Sequence, residues 1–210
     1  THPVSGALLY TVADTNGGAV VSSEWDGQKP KVLFGSAILS WRPAILADGR
    51  IFLAQAAADG VPGYAYELKK DGTLNRLLGP VPGLLVRVRP SQKGDTDALL
   101  WSQSTRGDLR LFVRVGQNAT AVQIPVRTAA DKCAWLPGKD YVAYCGVPQG
   151  MAGQDFLDTR YRGAAHSSDS LWRIDASAGT AEMVFAPPSN TPIDIEDISV
   201  DGSGSFLAFT

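Results

Sequence analysis

Two cysteines, Cys133 and Cys145, are the first residues in the 210-residue chain whose spacing implies chemistry. They flank the turn of CAWLPGKDYVAYC symmetrically about Lys139. A hairpin with Gly138, Lys139 and Asp140 at its tip sets them directly opposite each other. Opposed residues of a non-hydrogen-bonded antiparallel pair have Cβ atoms about 4.5 Å apart, close to what a disulfide needs. A disulfide here implies an oxidising compartment and a secreted, periplasmic or cell-surface protein. The alternative is two buried free thiols in a cytosolic strand. With only two Cys and two His, far apart in sequence, a structural zinc site is not expected.

His166-Ser167-Ser168-Asp169 brings a base, two hydroxyls and a carboxylate into consecutive positions. Nucleophilic catalysis needs a serine held against its base by the fold, which adjacent residues rarely achieve, so His166 reads as a solvated loop histidine. No Gly-x-Ser-x-Gly elbow, phosphate loop or His-Glu-x-x-His motif is present. The chain is therefore expected to be no enzyme. Asp194, Glu196, Asp197 and Asp201 crowd the last hairpin, as Asp95 and Asp97 crowd an earlier one. Carboxylates on loops can take Ca²⁺, but this spacing matches no EF-hand and reads as solvated turns. No metal or cofactor is expected.

The stretch 149–167 is the longest irregular segment and carries Met151, Phe156, Arg160, Tyr161 and Arg162. Aromatic and Arg side chains are the usual anchors of interfaces, so these five residues are the candidate recognition loop. The alternative is an ordered loop that covers a blade edge. Trp41, Trp101, Trp135 and Trp172 recur near hairpins and read as core, whereas Trp25, beside Asp26-Gly27, reads as exposed.

The elements that would hold these residues are short strands. The chain has 22 Gly, 13 Pro and 44% hydrophobic residues, and no long window of helical periodicity survives without a Gly or Pro. An all-β fold follows. Four segments share one pattern, an apolar strand, a polar turn holding Gly, and a second apolar strand: ILSWRPAILADGRIFLAQ, LVRVRPSQKGDTDALLWSQ, CAWLPGKDYVAYCGVP and DISVDGSGSFLAF. Their turn glycines, Gly49, Gly94, Gly138 and Gly202, lie 45, 44 and 64 residues apart. The last interval returns to about 45 if 149–167 is an insertion, and a period near that length is a propeller blade.

Each of the first three hairpins is followed by a second pair of strands, turning at Asp71-Gly72, at Gly116 to Asn118 and at Ser177 to Gly179. The prediction is a single β-propeller domain or fragment of four-stranded antiparallel blades, about 38–79, 85–125 and 132–187, with partial blades at 6–35 and 194–210. The alternative is a β-sandwich whose strand spacing recurs by chance. Partial terminal blades would leave open flanks, which favours a larger ring, self-association or a protein partner.

Charge and hydropathy narrow the partners. The net charge is −2 with Lys and Arg scattered, so nucleic acid is not an expected partner. The apolar runs fall well below the roughly 20 residues of a membrane span.

Several of these residues resemble a known family. Asp14 to Asn16, Asp48-Gly49 and Val200-Asp201-Gly202 resemble the strand-turn signature of TolB-type and WD40-like propeller repeats. Lys132-Cys133-Ala134-Trp135, Tyr144-Cys145-Gly146-Val147-Pro148, Tyr161-Arg162-Gly163 and Ser168 to Asp175 resemble the late blades of uncharacterised exported β-propeller proteins of uncultured, small-genome bacteria. The close resemblance covers roughly 82–210. It implies further blades and an N-terminal membrane anchor ahead of this segment and a final strand behind it, and it brings no catalytic residue and no ligand. The expected function is a non-catalytic extracytoplasmic scaffold for protein interaction or envelope architecture. The alternative is a carbohydrate-binding or enzyme-associated propeller.

Overall fold

The computed structural model describes residues 6–46, 48–91, 96–138, 140–150, 153–188 and 190–210. The predicted turn at Gly94, together with Asp95 and Met151, lies outside the described residues.

Seventeen strands are described, every described pairing is antiparallel, and each sheet is built from strands consecutive in the chain. Strands β1 (Leu8–Asp14), β2 (Gly17–Ser23) and β3 (Lys31–Ser36) form a three-stranded sheet. The first four-stranded sheet is β4 (Trp41–Ile45), β5 (Ile51–Gln55), β6 (Pro62–Leu68) and β7 (Leu74–Pro82). The second is β8 (Leu85–Arg89), β9 (Ala98–Thr105), β10 (Asp108–Val115) and β11 (Val122–Ile124). The third is β12 (Cys133–Trp135), β13 (Val142–Pro148), β14 (Asp169–Asp175) and β15 (Thr180–Phe185), and β16 (Ser199–Val200) pairs with β17 (Leu207–Ala208).

The chain divides into two compact units. The first comprises Thr1–Ala56 and Pro62–Val81, the second Ala57–Val61 and Pro82–Thr210. In the first, Val20, Trp41, Leu53 and Leu68 form the core, with Trp41 edge-on to Phe34 and Tyr66 at 5.5 and 6.1 Å between ring centroids. Edge-to-face contacts of this kind add to the burial of apolar area.

The second unit holds the larger core, which includes Leu100, Leu111, Ile124, Cys133, Cys145, Val147, Leu157 and Ile174. Alternation explains it: Leu109, Leu111 and Val113 of β10 are buried while Arg110 is exposed, the period-2 pattern of a strand. Trp101 is buried and stacks on Phe112, its cross-strand partner, at 5.7 Å. Trp135 and Trp172, expected in the core, are half-buried and pack against it.

In the β12–β13 hairpin Cys133 faces Cys145 and Trp135 faces Ala143. The ladder closes where the Leu136 N–H donates to the Val142 carbonyl at 2.8 Å. The expected three-residue tip lies beyond this bond, and its central residue, Lys139, is outside the described residues. This placement makes Cys133 and Cys145 a non-hydrogen-bonded pair with Cα atoms 4.1 Å apart, and their sulfurs are bonded.

Candidate functional site

Strands β13 and β14 are joined by an excursion of the chain rather than a tight turn. At its neck the Gln149 N–H donates to the Ser168 carbonyl at 2.8 Å, continuing the Pro148–Asp169 pairing. Within it, where irregular chain was expected, lies a one-and-a-half-turn helix, α1 (Phe156–Tyr161). It is too short to show helical periodicity in an eleven-residue window. The Gly153 carbonyl accepts the Phe156 N–H at its start. Gly163, at φ +68°, stops it, its N–H returning to the Arg160 carbonyl and that of Ala164 to Thr159, as glycine does past a helix C-terminus.

The candidate residues take different places on this element. Phe156 is buried beside Leu157, which sits in the core. Arg160 also turns inward: Nη1 donates to Asp131 Oδ2 at 2.9 Å and Nε lies 3.3 Å from Glu196 Oε1. Burial pushes this guanidinium down, but the charge and hydrogen bond of Asp131, with the charge of Glu196, more than offset it and raise its pKa. Tyr161 is 37% exposed, and its hydroxyl donates to the same Asp131 oxygen at 3.2 Å. Arg162 is exposed, its Nε donating to the Asp158 carbonyl at 3.3 Å. Phe156 and Arg160 thus hold the loop down, whereas Tyr161 and Arg162 face outward.

Two further ties fix the excursion. The Asp158 carboxylate accepts the Asp59 N–H at 3.1 Å, and Asp59 itself accepts the Ser104 hydroxyl and the Arg106 N–H. Gly107, at φ +74°, lies against the Gly153 carbonyl so closely that a Cβ would stand 2.0 Å from that oxygen. Alongside the excursion runs a cleft of about 630 Å³ lined by Arg106, Asp108, Arg127, Gln154 and Trp172 among others. Arg106 and Arg127 are exposed and Trp172 is half-buried. A second cleft of about 480 Å³, against α1, is lined by Pro148, Phe156, Thr159, His166 and Ser167 among others.

Behind that second cleft lies a polar cluster that reading the sequence did not reveal. Lys132, at the end of a 3-10 turn (Ala130–Lys132) leading into β12, is fully buried. Its Nζ donates to Asp169 Oδ2 at 2.6 Å, Asp194 Oδ1 at 2.5 Å, Ser167 Oγ at 2.9 Å and the Ile195 carbonyl at 3.1 Å. Asp169 is fully buried as well, and its Oδ2 also accepts the Ile195 N–H at 2.9 Å. The segment 193–196 can come this close because residue 146 is glycine: a Cβ there would stand 2.7 Å from Ile195 Cβ.

Asp194 collects most of the 166–169 cluster. It accepts the Ser167 N–H and hydroxyl at 3.2 and 3.1 Å and pairs with His166 Nδ1 at 3.2 Å. Burial pushes its carboxyl up, but the hydrogen bond and charge of Lys132 and the bonds from Ser167 outweigh that and lower its pKa. The histidine and the serine therefore both address the carboxylate, and the Ser167 hydroxyl points its proton at Asp194.

Three of the other acidic residues have structural partners. Asp201 caps its own turn, accepting from the Ser203 hydroxyl and the Phe206 N–H, Glu196 pairs with Arg160, and Asp97 accepts the Ser91 N–H. Among the described residues no three His, Cys, Asp or Glu side chains gather as a metal site.

Two solved structures match this arrangement over nearly the whole chain. One is TolB from Acinetobacter baumannii, with a TM-score of 0.63 and 17% identity over 98% of this chain and 47% of that one. The fold is a TolB-like β-propeller. The other is the uncharacterized protein lmo1340 of Listeria monocytogenes, with a TM-score of 0.55 and 10% identity over 93% of this chain and 53% of that one. The propeller chain spans about half the length of either. No family model matches it, and no curated protein does. Among the described residues no helix is long and apolar enough to cross a membrane.

Proposed function

We propose that this propeller is a non-catalytic scaffold outside the cytoplasm that binds a protein partner on the face carrying the 149–167 excursion. The observation that carries the reading is the cleft alongside the excursion, where exposed Arg106 and Arg127 flank half-buried Trp172. Arg and Trp are the residue types that dominate binding energy at interfaces. The Phe156, Leu157 and Arg160 anchors hold the adjoining loop in one conformation, which lowers the entropy lost on binding. Location outside the cytoplasm is supported by the Cys133–Cys145 bond, since such bonds persist in oxidising compartments. A non-catalytic role is supported by the way Asp194 engages both His166 and Ser167.

The test immobilises the chain and an Arg127→Glu, Trp172→Ala double variant and passes envelope extract over both. The reading expects a discrete protein retained by the parent and lost by the variant, with unchanged circular dichroism. Equal retention on both columns contradicts it. A carbohydrate-binding reading is favoured by one observation: Trp25 is 75% exposed beside a cavity of about 560 Å³ that Ser22, Glu24, Lys29 and Lys31 help to line. Aromatic faces in such settings stack on sugar rings, so a glycan array that scores the parent and not Trp25→Ala would select it.

A further inference from the structure

The Lys132 cluster is more than a buried ion pair. One oxygen of Asp169, Oδ2, takes both the Lys132 ammonium and the Ile195 N–H, while the other, Oδ1, is buried without any hydrogen-bond partner. An orphaned oxygen on a buried carboxylate is costly for a structural salt bridge. A second carboxylate, Asp194, lies 2.5 Å from the same nitrogen. Nζ also has four acceptors for its three N–H bonds. An amine held in hydrogen-bond contact with a carboxyl group, water excluded and a proton acceptor alongside, is arranged for condensation.

We propose that Lys132 and Asp169 condense in the folded protein to an intramolecular amide, an isopeptide cross-link between the turn before β12 and the start of β14. The atoms balance with no other reactant. The Lys132 ammonium passes a proton to Asp169, giving a neutral amine and a neutral acid. That proton sits on Oδ2, the oxygen that Nζ touches. The Nζ lone pair attacks Asp169 Cγ, forming the C–N bond, and negative charge develops on Oδ1. Asp194, in contact with Nζ, takes the surplus proton from the new nitrogen and returns it to the hydroxyl at Oδ2. That hydroxyl, which also accepts the Ile195 N–H, leaves as water, the carbonyl re-forms on Oδ1, and Asp194 returns to carboxylate. The unpartnered oxygen is thus the one that stays as the amide carbonyl.

The bond would lie next to the Cys133–Cys145 disulfide. Together the two would tie β12 to β13 and β12 to β14, leaving three adjacent strands of one blade covalently joined around the neck of the 149–167 excursion.

Intact-mass spectrometry of the purified chain, followed by tryptic mapping after reduction, tests this. The mass is expected about 18 Da, one water, below that of the disulfide-bonded sequence. Digestion should yield a branched peptide in which uncleaved Lys132 is joined to the fragment carrying Asp169. Asp169→Ala should show the full mass. Asp194→Asn, which keeps both reacting groups, should be at least tenfold slower to lose water while retaining the disulfide and the parent's circular dichroism. A parent chain at full mass with Lys132 cleaved by trypsin overturns the proposal. So does a water loss that maps to a linear Asp-Gly peptide such as Asp71-Gly72, which marks a succinimide. Condensation of Asp194→Asn at the parent rate overturns the role given to Asp194.

Discussion

Replacing Cys133 and Cys145 together with alanine should lower the stability of the second unit by an amount that can be worked out in two parts. The bond closes a loop with a sequence separation of 12, for which chain entropy alone gives about 3 kcal/mol. Both sulfurs are buried in the main core, so alanine also leaves two small voids at roughly 1 kcal/mol each. For a unit of this size each kcal/mol moves the melting temperature by about 2–4 °C, so the cross-link is worth roughly 6–12 °C and the voids somewhat more. Reduced wild-type protein separates the two parts, because it loses the bond and keeps the sulfurs. The assay is thermal unfolding followed by near-ultraviolet circular dichroism, with and without reductant. The parent should fall on reduction, the double variant should melt lower still, and the variant should ignore reductant. A double variant melting within about 2 °C of the oxidised parent would refute the reasoning, since the pair could then be neither bonded nor packed as described.

Other perturbations probe separate links. Arg160→Met should cost about 1.5–3 kcal/mol by stripping Asp131 of a charged hydrogen bond, and limited proteolysis should then cut the excursion, which it spares in the parent. Gly107→Ala forces a left-handed backbone and a clash with the Gly153 carbonyl, so urea unfolding should show a loss of more than about 2 kcal/mol. The side-chain hydrogen bond of Ser203 and the N–H of Phe206 hold the Asp201 carboxyl down at about 2, below its ordinary 3.8. Its contribution to the β16–β17 turn is therefore complete above pH 3.8 and is lost as pH falls towards 2. Amide exchange at Phe206 should accelerate over that window in the parent and be already fast at neutral pH in Asp201→Ala.

How much of this can be read from the chain alone depends on how far apart the partners lie. The Cys133–Cys145 pairing is legible because both residues belong to one hairpin and symmetry about a single residue fixes the register. The strand pairs meeting at Gly72, Gly116 and Gly179 are legible for the same local reason: each of these glycines has a positive φ, which turn chemistry demands. Lys132 is the opposite case. Its partners Asp169 and Asp194 are 37 and 62 residues away, and a lysine before a strand looks like any solvated one until the chain from both places is brought together. The helix in the excursion escaped because two glycines bound it too tightly for periodicity to register. The inward turn of Arg160 escaped because Asp131, its partner, lies 29 residues earlier, at the approach to β12.

The central claim is that the described strands pair only with their neighbours in the chain, with three sheets of four strands, as propeller blades require. Cross-strand Hα–Hα contacts measured by nuclear magnetic resonance on isotope-labelled protein test it most directly. The account predicts contacts that follow the described registers, such as Val113 facing Leu100 and Tyr144 facing Arg173, all confined within residues 41–82, 85–124 and 133–185. A ladder of such contacts joining a strand of one of these segments to a strand of another would contradict it.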